Sequence, residues 1–210
     1  MVILELVKCR AYAFIMRSLQ ILGFLVFLSS GVFVDPIYPP NTVTGGTVIA
    51  ELHSVSGRVE KLTIHSGEEP FVSAAQSALR QWQLHPEKDG DDLVVMHFRQ
   101  PNLYYLNDAG EKISGAKPKG SLPYPKRIVG PAYPAQSLAR GSVILRIGIS
   151  SDGRVGEIQA EKSVGSLTDV SIDAVRKWIF LPAEDGRGLA KASSAYAVFV
   201  YQFPVIEQKR

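Results

Sequence analysis

Residues 131–155 read PAYPAQSLARGSVILRIGISSDGRV, and residues 36–59 read PIYPPNTVTGGTVIAELHSVSGRV. Pro36, Tyr38, Pro39 and Gly46 return at Pro131, Tyr133, Pro134 and Gly141, an offset of 95. One extra residue raises the offset to 96, which then holds for Gly57/Gly153, Val59/Val155, Leu62/Ile158, Phe71/Leu167, Ala78/Ala174, Trp82/Trp178, Pro86/Pro182 and Gly90/Gly186. An ordered self-match of this length means that one small structural unit is used twice, and two copies are too few for a solenoid. The expectation is a tandem pair of domains, each near the lower size limit for an independent core.

Within each copy the pattern reads strand, strand, helix, strand. Val143, Leu145, Ile147 and Ile149 alternate, as do Val48, Ala50 and Leu52, so each set marks a half-buried strand. Ser56-Gly57 and Asp152-Gly153 follow, predicting a tight hairpin turn with glycine at positive φ. In the next strand the apolar residues Val59/Leu62 and Val155/Ile158 stand three apart, which predicts a bulge. Phe71, Ala75, Ala78, Leu79 and Trp82 then fall on one helical face, and Leu167, Ser171, Ala174, Val175 and Trp178 repeat the spacing. Ser166 with Asp169 has the form of a capping box, and Pro70 sits where a missing donor is tolerated. Pro86 and Pro182 forbid helix continuation, and the chain returns along Leu93–Phe98 and Tyr196–Phe203.

The second copy resembles the C-terminal domain of TonB, the periplasmic energy transducer of Gram-negative envelopes. The resemblance rests on the Tyr133-Pro134 pair, Gly141 opening a strand, the Asp152-Gly153 turn, and Trp178, Phe180 and Pro182 after the helix. The first copy is degenerate, with Leu84 for the phenylalanine and Ser56 for the turn aspartate. The resemblance implies an α+β fold in which each copy is a three-stranded antiparallel sheet packed on one helix, acting as a protein-binding module without catalytic residues or cofactor. It places the partner, a segment of an envelope or outer-membrane protein, beside the last strand at Val198, Phe199, Val200, Tyr201, Gln202 and Phe203. An unpaired edge offers backbone donors and acceptors for strand addition. The bland alternative is that one side of this strand fills the core and the other is ordinary surface. Each copy's edge is also open to self-association, within one chain or between chains.

The remainder of the chain sets the context. Residues 1–34 contain Arg17 followed by an uncharged, mostly apolar run from Ser18 to Val34, the pattern of an export signal or, alternatively, of an N-terminal membrane anchor. Translation from Met16 would make the signal compact. The division expected is residues 1–34 as signal or anchor, 35–100 as the diverged copy, 101–127 as a linker and 128–207 as the second copy, with the body in the periplasm. An inner-membrane-anchored component of an energy-coupled transport system is a second reading. Against it, Val34 passes into Pro36 without a long spacer, and no histidine precedes His53.

A net charge of +3, with basic residues scattered among acidic ones, gives no support to nucleic-acid binding. The single cysteine, Cys9, excludes an intrachain disulfide. All four histidines, His53, His65, His85 and His97, lie in the first copy, which raises a third reading as a metal-binding protein with His65 and His97 on neighbouring strands. No pair has the spacing of a helical zinc motif, and neither a nucleophile elbow nor a phosphate-cradling loop is present, so no enzyme is expected.

Overall fold

The computed structural model describes residues 31–85, 89–101, 111–113 and 121–203. The first 30 residues, which hold most of the expected signal or anchor, lie outside the described residues, and Gly31 opens the compact unit that carries the rest. Among the described residues no helix is long and apolar enough to cross a membrane.

The elements run β1 (Gly46–Val55), β2 (Arg58–Ser66), α1 (Phe71–Leu79), β3 (Gly90–Phe98), β4 (Glu111–Lys112), β5 (Tyr124–Ile128), β6 (Gly141–Ile149), β7 (Val155–Lys162), α2 (Gly165–Val175), β8 (Ile179–Leu181), β9 (Ala183–Glu184), β10 (Ala190–Lys191) and β11 (Ser193–Tyr201). The fold is α+β, with two helices on a main sheet. Both halves follow the expected order, and both helices bury the expected face: Phe71, Ala75, Ala78 and Leu79 in α1, and Leu167, Ser171, Ala174 and Val175 in α2. The bulges are present too, as register shifts between His53 and Ser54 and between Ile147 and Ile149.

The halves do not form separate three-stranded sheets. One six-stranded sheet runs β2-β1-β3-β11-β6-β7, and its central pair, β3 and β11, is parallel. Reversed strand order with parallel central strands means that half a turn about an axis along the strands relates the two halves. Such a rotation sends the helices to opposite faces, and the cores agree. Val94, Met96 and Phe98 join Val198 and Val200 in the cluster under α1, while Leu93 and Val95 join Ala195, Ala197, Phe199 and Tyr201 in the cluster under α2. Burying both faces of β3 and β11 is what their unbroken apolar runs require.

Both hairpins turn tightly on a glycine at positive φ: Val55 pairs with Arg58 across Ser56-Gly57, and Ser150 N–H donates to Arg154 O at 3.0 Å across Ser151-Asp152-Gly153, with Gly153 N–H bonded to Ser150 O at 2.9 Å. Two local expectations are corrected. Ser166 and Asp169 form no capping box. Instead the Thr168 hydroxyl accepts the Val164 N–H at 2.9 Å, and the Ser166 hydroxyl turns to Ser137. The segment 101–127 is not wholly a linker. Tyr124–Ile128 pairs with β8, and Tyr124 and Ile128 are buried in the second core.

The first core also begins earlier than residue 35. Val32 exchanges backbone hydrogen bonds with Gln83 at 2.7 and 2.8 Å, and the Phe33 ring stands edge-on to Trp82 at 4.9 Å. The indole N–H of Trp82 donates to Val34 O at 3.0 Å, as that of Trp178 donates to Val129 O at 2.8 Å. Each tryptophan thus ties its helix end to the strand-like segment that precedes its Tyr-Pro pair.

Candidate functional site

The strand expected to receive a partner lies at the centre of the sheet. Ala195–Val200 of β11 pairs with Leu93–Phe98 of β3 on one side, and Ser193–Tyr201 pairs with Gly141–Ile149 of β6 on the other. Val198, Phe199 and Val200 are therefore internal, and no free edge exists at them. The chain's own β3 occupies the position assigned to a partner strand. Tyr201 ends the strand buried, its hydroxyl 2.7 Å from that of Ser171. Burial pushes its phenol well above the ordinary range. Gln202 and Phe203 lie beyond the strand, where Phe203 is 40% exposed beneath the Arg140 guanidinium, 5.0 Å away.

Polar contacts hold both sides of this seam. Immediately after β3, the Arg99 N–H donates to Val200 O at 3.0 Å, and its buried guanidinium donates from Nε to Pro131 O at 2.9 Å. The same guanidinium lies 5.3 Å from the Tyr133 ring, where cation–π attraction adds to the bond. On the other side, Asp35 accepts from the buried Ser142 hydroxyl and pairs with Lys162, so the entry to the first half is fastened to β6 and β7. Tyr196 on β11 packs against Trp82 at 5.8 Å and Phe33 at 5.9 Å. Its phenol is raised chiefly by burial, with Asp92 and Glu161 adding.

The histidines do not converge. His53 pairs with Asp91 at 2.7 Å, His65 with Glu51 at 2.8 Å, and His97 with the Thr47 hydroxyl at 3.1 Å. Among the described residues no group of three or more His, Cys, Asp or Glu is placed to hold a metal ion.

Among the described residues, the six-stranded sheet ends at β2 on one side and β7 on the other. In β7, Glu157, Glu161 and Lys162 bring charge to the edge, which is how sheets discourage a further strand. The last five residues of β2, Leu62-Thr63-Ile64-His65-Ser66, carry no Lys, Arg, Asp or Glu and are only half-buried. Arg99, Asp35 and the pairing of β3 with β11 were missed by reading the sequence. The signal that marked the pairing is the run Leu93-Val94-Val95-Met96 with its counterpart Ala195–Tyr201, continuous where a one-sided edge strand would alternate.

Comparison with known proteins supports the assignment of the second half. The family "Gram-negative bacterial TonB protein C-terminal" matches residues 129–203. Protein tonB2 of Pseudomonas aeruginosa is 39% identical over 61 residues, covering 27% of this chain and 23% of that protein, so the match spans about a quarter of that relative's length. The solution NMR structure of the Pseudomonas aeruginosa TonB CTD aligns at 25% identity over 45% of this chain and 97% of its own, with a TM-score of 0.33. The matched segment begins at the Val129 carbonyl that receives the Trp178 indole and ends just past β11. Residues 129–203 belong to the TonB C-terminal domain family.

Proposed function

We propose that this chain is an exported envelope protein that binds another envelope protein through a two-copy unit of the TonB C-terminal type, the first copy being residues 31–101. The observation that carries this reading is the six-stranded sheet itself. It closes β11 and leaves a strand-adding partner the outer edges. Of these, Leu62–Ser66 of β2 is the better acceptor, because an added strand there meets no charged side chain on that stretch. The protein acts by binding, not catalysis, and functions in the periplasm, where domains of this family reside.

Photo-crosslinking in cells tests the reading, with probes placed one at a time at Thr63, Gln159 and Gln202. The expected result is capture of one envelope protein from Thr63 alone. Capture from Gln202 alone would move the site to the end of β11, and no capture from any position would remove the strand-addition reading.

A membrane-anchored role in energy-coupled transport is the second reading. The observation favouring it is the uncharged, mostly apolar run that begins at Ser18, which would serve as the anchor if it is retained. N-terminal sequencing of the protein recovered from membranes decides between them. A start within residues 1–16 supports the anchor, and a start close before Gly31 supports secretion.

A further inference from the structure

The second half presents more than a strand edge to the first. On the sheet face away from α2 it presents Ile144 of β6 and Tyr196, Val198 and Val200 of β11, all buried. Nothing from residues 121–203 joins these four in their cluster. Their neighbours there come from the first half, including Phe33, Val34, Trp82, Val94, Met96 and Phe98. Reciprocally, Ile49, Leu93 and Val95 of the first half enter the cluster of α2, Trp178 and Phe199.

We infer that the edge of β11 together with this apolar back face is a domain-binding surface, and that the partner it fits is a whole strand-strand-helix-strand unit of the same fold, here supplied by residues 31–101. An extended peptide would satisfy the backbone of β11 but leave the back-face side chains in water. Burying apolar side chains of this size is strongly favourable, so a lone strand forgoes most of the available stabilisation. A second unit brings its own helix end, Trp82, and its entry segment, Phe33 and Val34, to cover them. The clasps match this geometry. Arg99 and Asp35 belong to the first half, yet they bond Pro131, Ser142 and Lys162 of the second. The inference takes from the proposal above only that residues 129–203 form a binding unit, and it makes the first half that unit's resident ligand.

The test uses the full chain with a specific protease site placed between residues 101 and 111, purified and then nicked. The nicked halves are expected to co-elute one to one in size-exclusion chromatography. A labelled peptide of residues 90–98 (GDDLVVMHF), added at about 100-fold molar excess, is expected to displace less than about a tenth of the first half, because it competes for the edge but not for the back face. Displacement by the peptide would overturn the inference, since a lone strand would then suffice. Separation of the halves without peptide would overturn it as well. The experiment needs no cellular partner, so it stands or falls apart from the crosslinking from β2.

Discussion

The first half turns its hairpin in two residues and the second in three, yet both lay a glycine carbonyl against the segment that follows the helix. Leu84 N–H donates to Gly57 O at 2.7 Å, and Phe180 N–H donates to Gly153 O at 2.8 Å. The glycines have φ of 75° and 82°. What differs is the polar dressing. In the second half Asp152 accepts from the Arg154 N–H and the Ser150 hydroxyl, and these bonds hold its carboxyl below the ordinary range. The first half lacks that aspartate. Ser56 takes φ of 49° and its N–H is bonded at 2.6 Å by Asp89, from the approach to β3. The backbone clasp set by packing is common to the two halves, while the side chains that merely finish the turn differ.

If the halves share one sheet across β3 and β11 and contribute to both cores, the largest effect should ignore the boundary between them. Replacing Trp178 by Ala removes a buried indole and its bond to Val129 O, a loss of about 3–5 kcal/mol. Trp82 is then the sole tryptophan and reports on the other half. Its fluorescence in urea should show the same lowered midpoint as circular dichroism. A Trp82 midpoint left at the wild-type value would mean that the halves unfold independently. The reciprocal experiment, Trp82→Ala read through Trp178, should behave alike, since Trp82 also packs on Tyr196 of the second half.

The glycine clasps sharpen the comparison at the next level. A Cβ at Gly153 would overlap the Phe180 carbonyl oxygen, and one at Gly57 would overlap that of Leu84 less deeply. Both positions also have the left-handed φ that side chains disfavour. Each alanine variant should lose at least about 1–3 kcal/mol, with Gly153→Ala the more damaging. Equal losses would show that dihedral strain, which the two share, outweighs the collision, which they do not. A smaller effect, about 1–3 kcal/mol, is expected for Arg99→Met, which leaves Pro131 O without that donor inside the seam. A double-mutant cycle with Tyr133→Leu should return a coupling of about 0.5–2 kcal/mol, and zero coupling would discount the ring contact.

These comparisons also mark what the sequence could disclose. The offset of 95 then 96 placed both hairpins and both helix faces, because the residues that define them act within about 50 positions of one another. Burial of Trp82 and Trp178 followed from their place at the end of a helical face. The parallel pairing of β3 with β11 did not follow, because periodicity within a strand does not say which strand lies beside it. Only the unbroken apolar runs hinted at two buried faces, and the family resemblance instead assigns one of them, Val198–Phe203, to a partner-binding edge. Arg99 and Asp35 gave no signal. A single arginine or aspartate in a loop is usually solvated, and its partners lie more than 30 residues away.

The smallest difference between the halves should emerge at alkaline pH. Burial raises the phenol of Tyr38 in the first half from 10.0 to about 12, and that of Tyr201 in the second further still. A phenol whose pKa is higher folded than unfolded keeps its proton in the native state after the unfolded chain has released it. The stabilisation is complete below the unfolded value near 10 and is lost as pH rises through the folded value. Stability should therefore fall from about pH 10 upward, and each Tyr→Phe substitution should remove one proton's share of that slope. Both variants should show the shallower slope up to about pH 11, and they part only as the pH approaches the lower folded value, that of Tyr38. At neutral pH both variants should lose about 1 kcal/mol, Tyr38 from its bond to Thr44 O and Tyr201 from its bond to Ser171. Urea titrations between pH 8 and about pH 11 measure the slopes, and a Tyr201→Phe protein with an unchanged alkaline slope would mean that this phenol is reached by water in the native state.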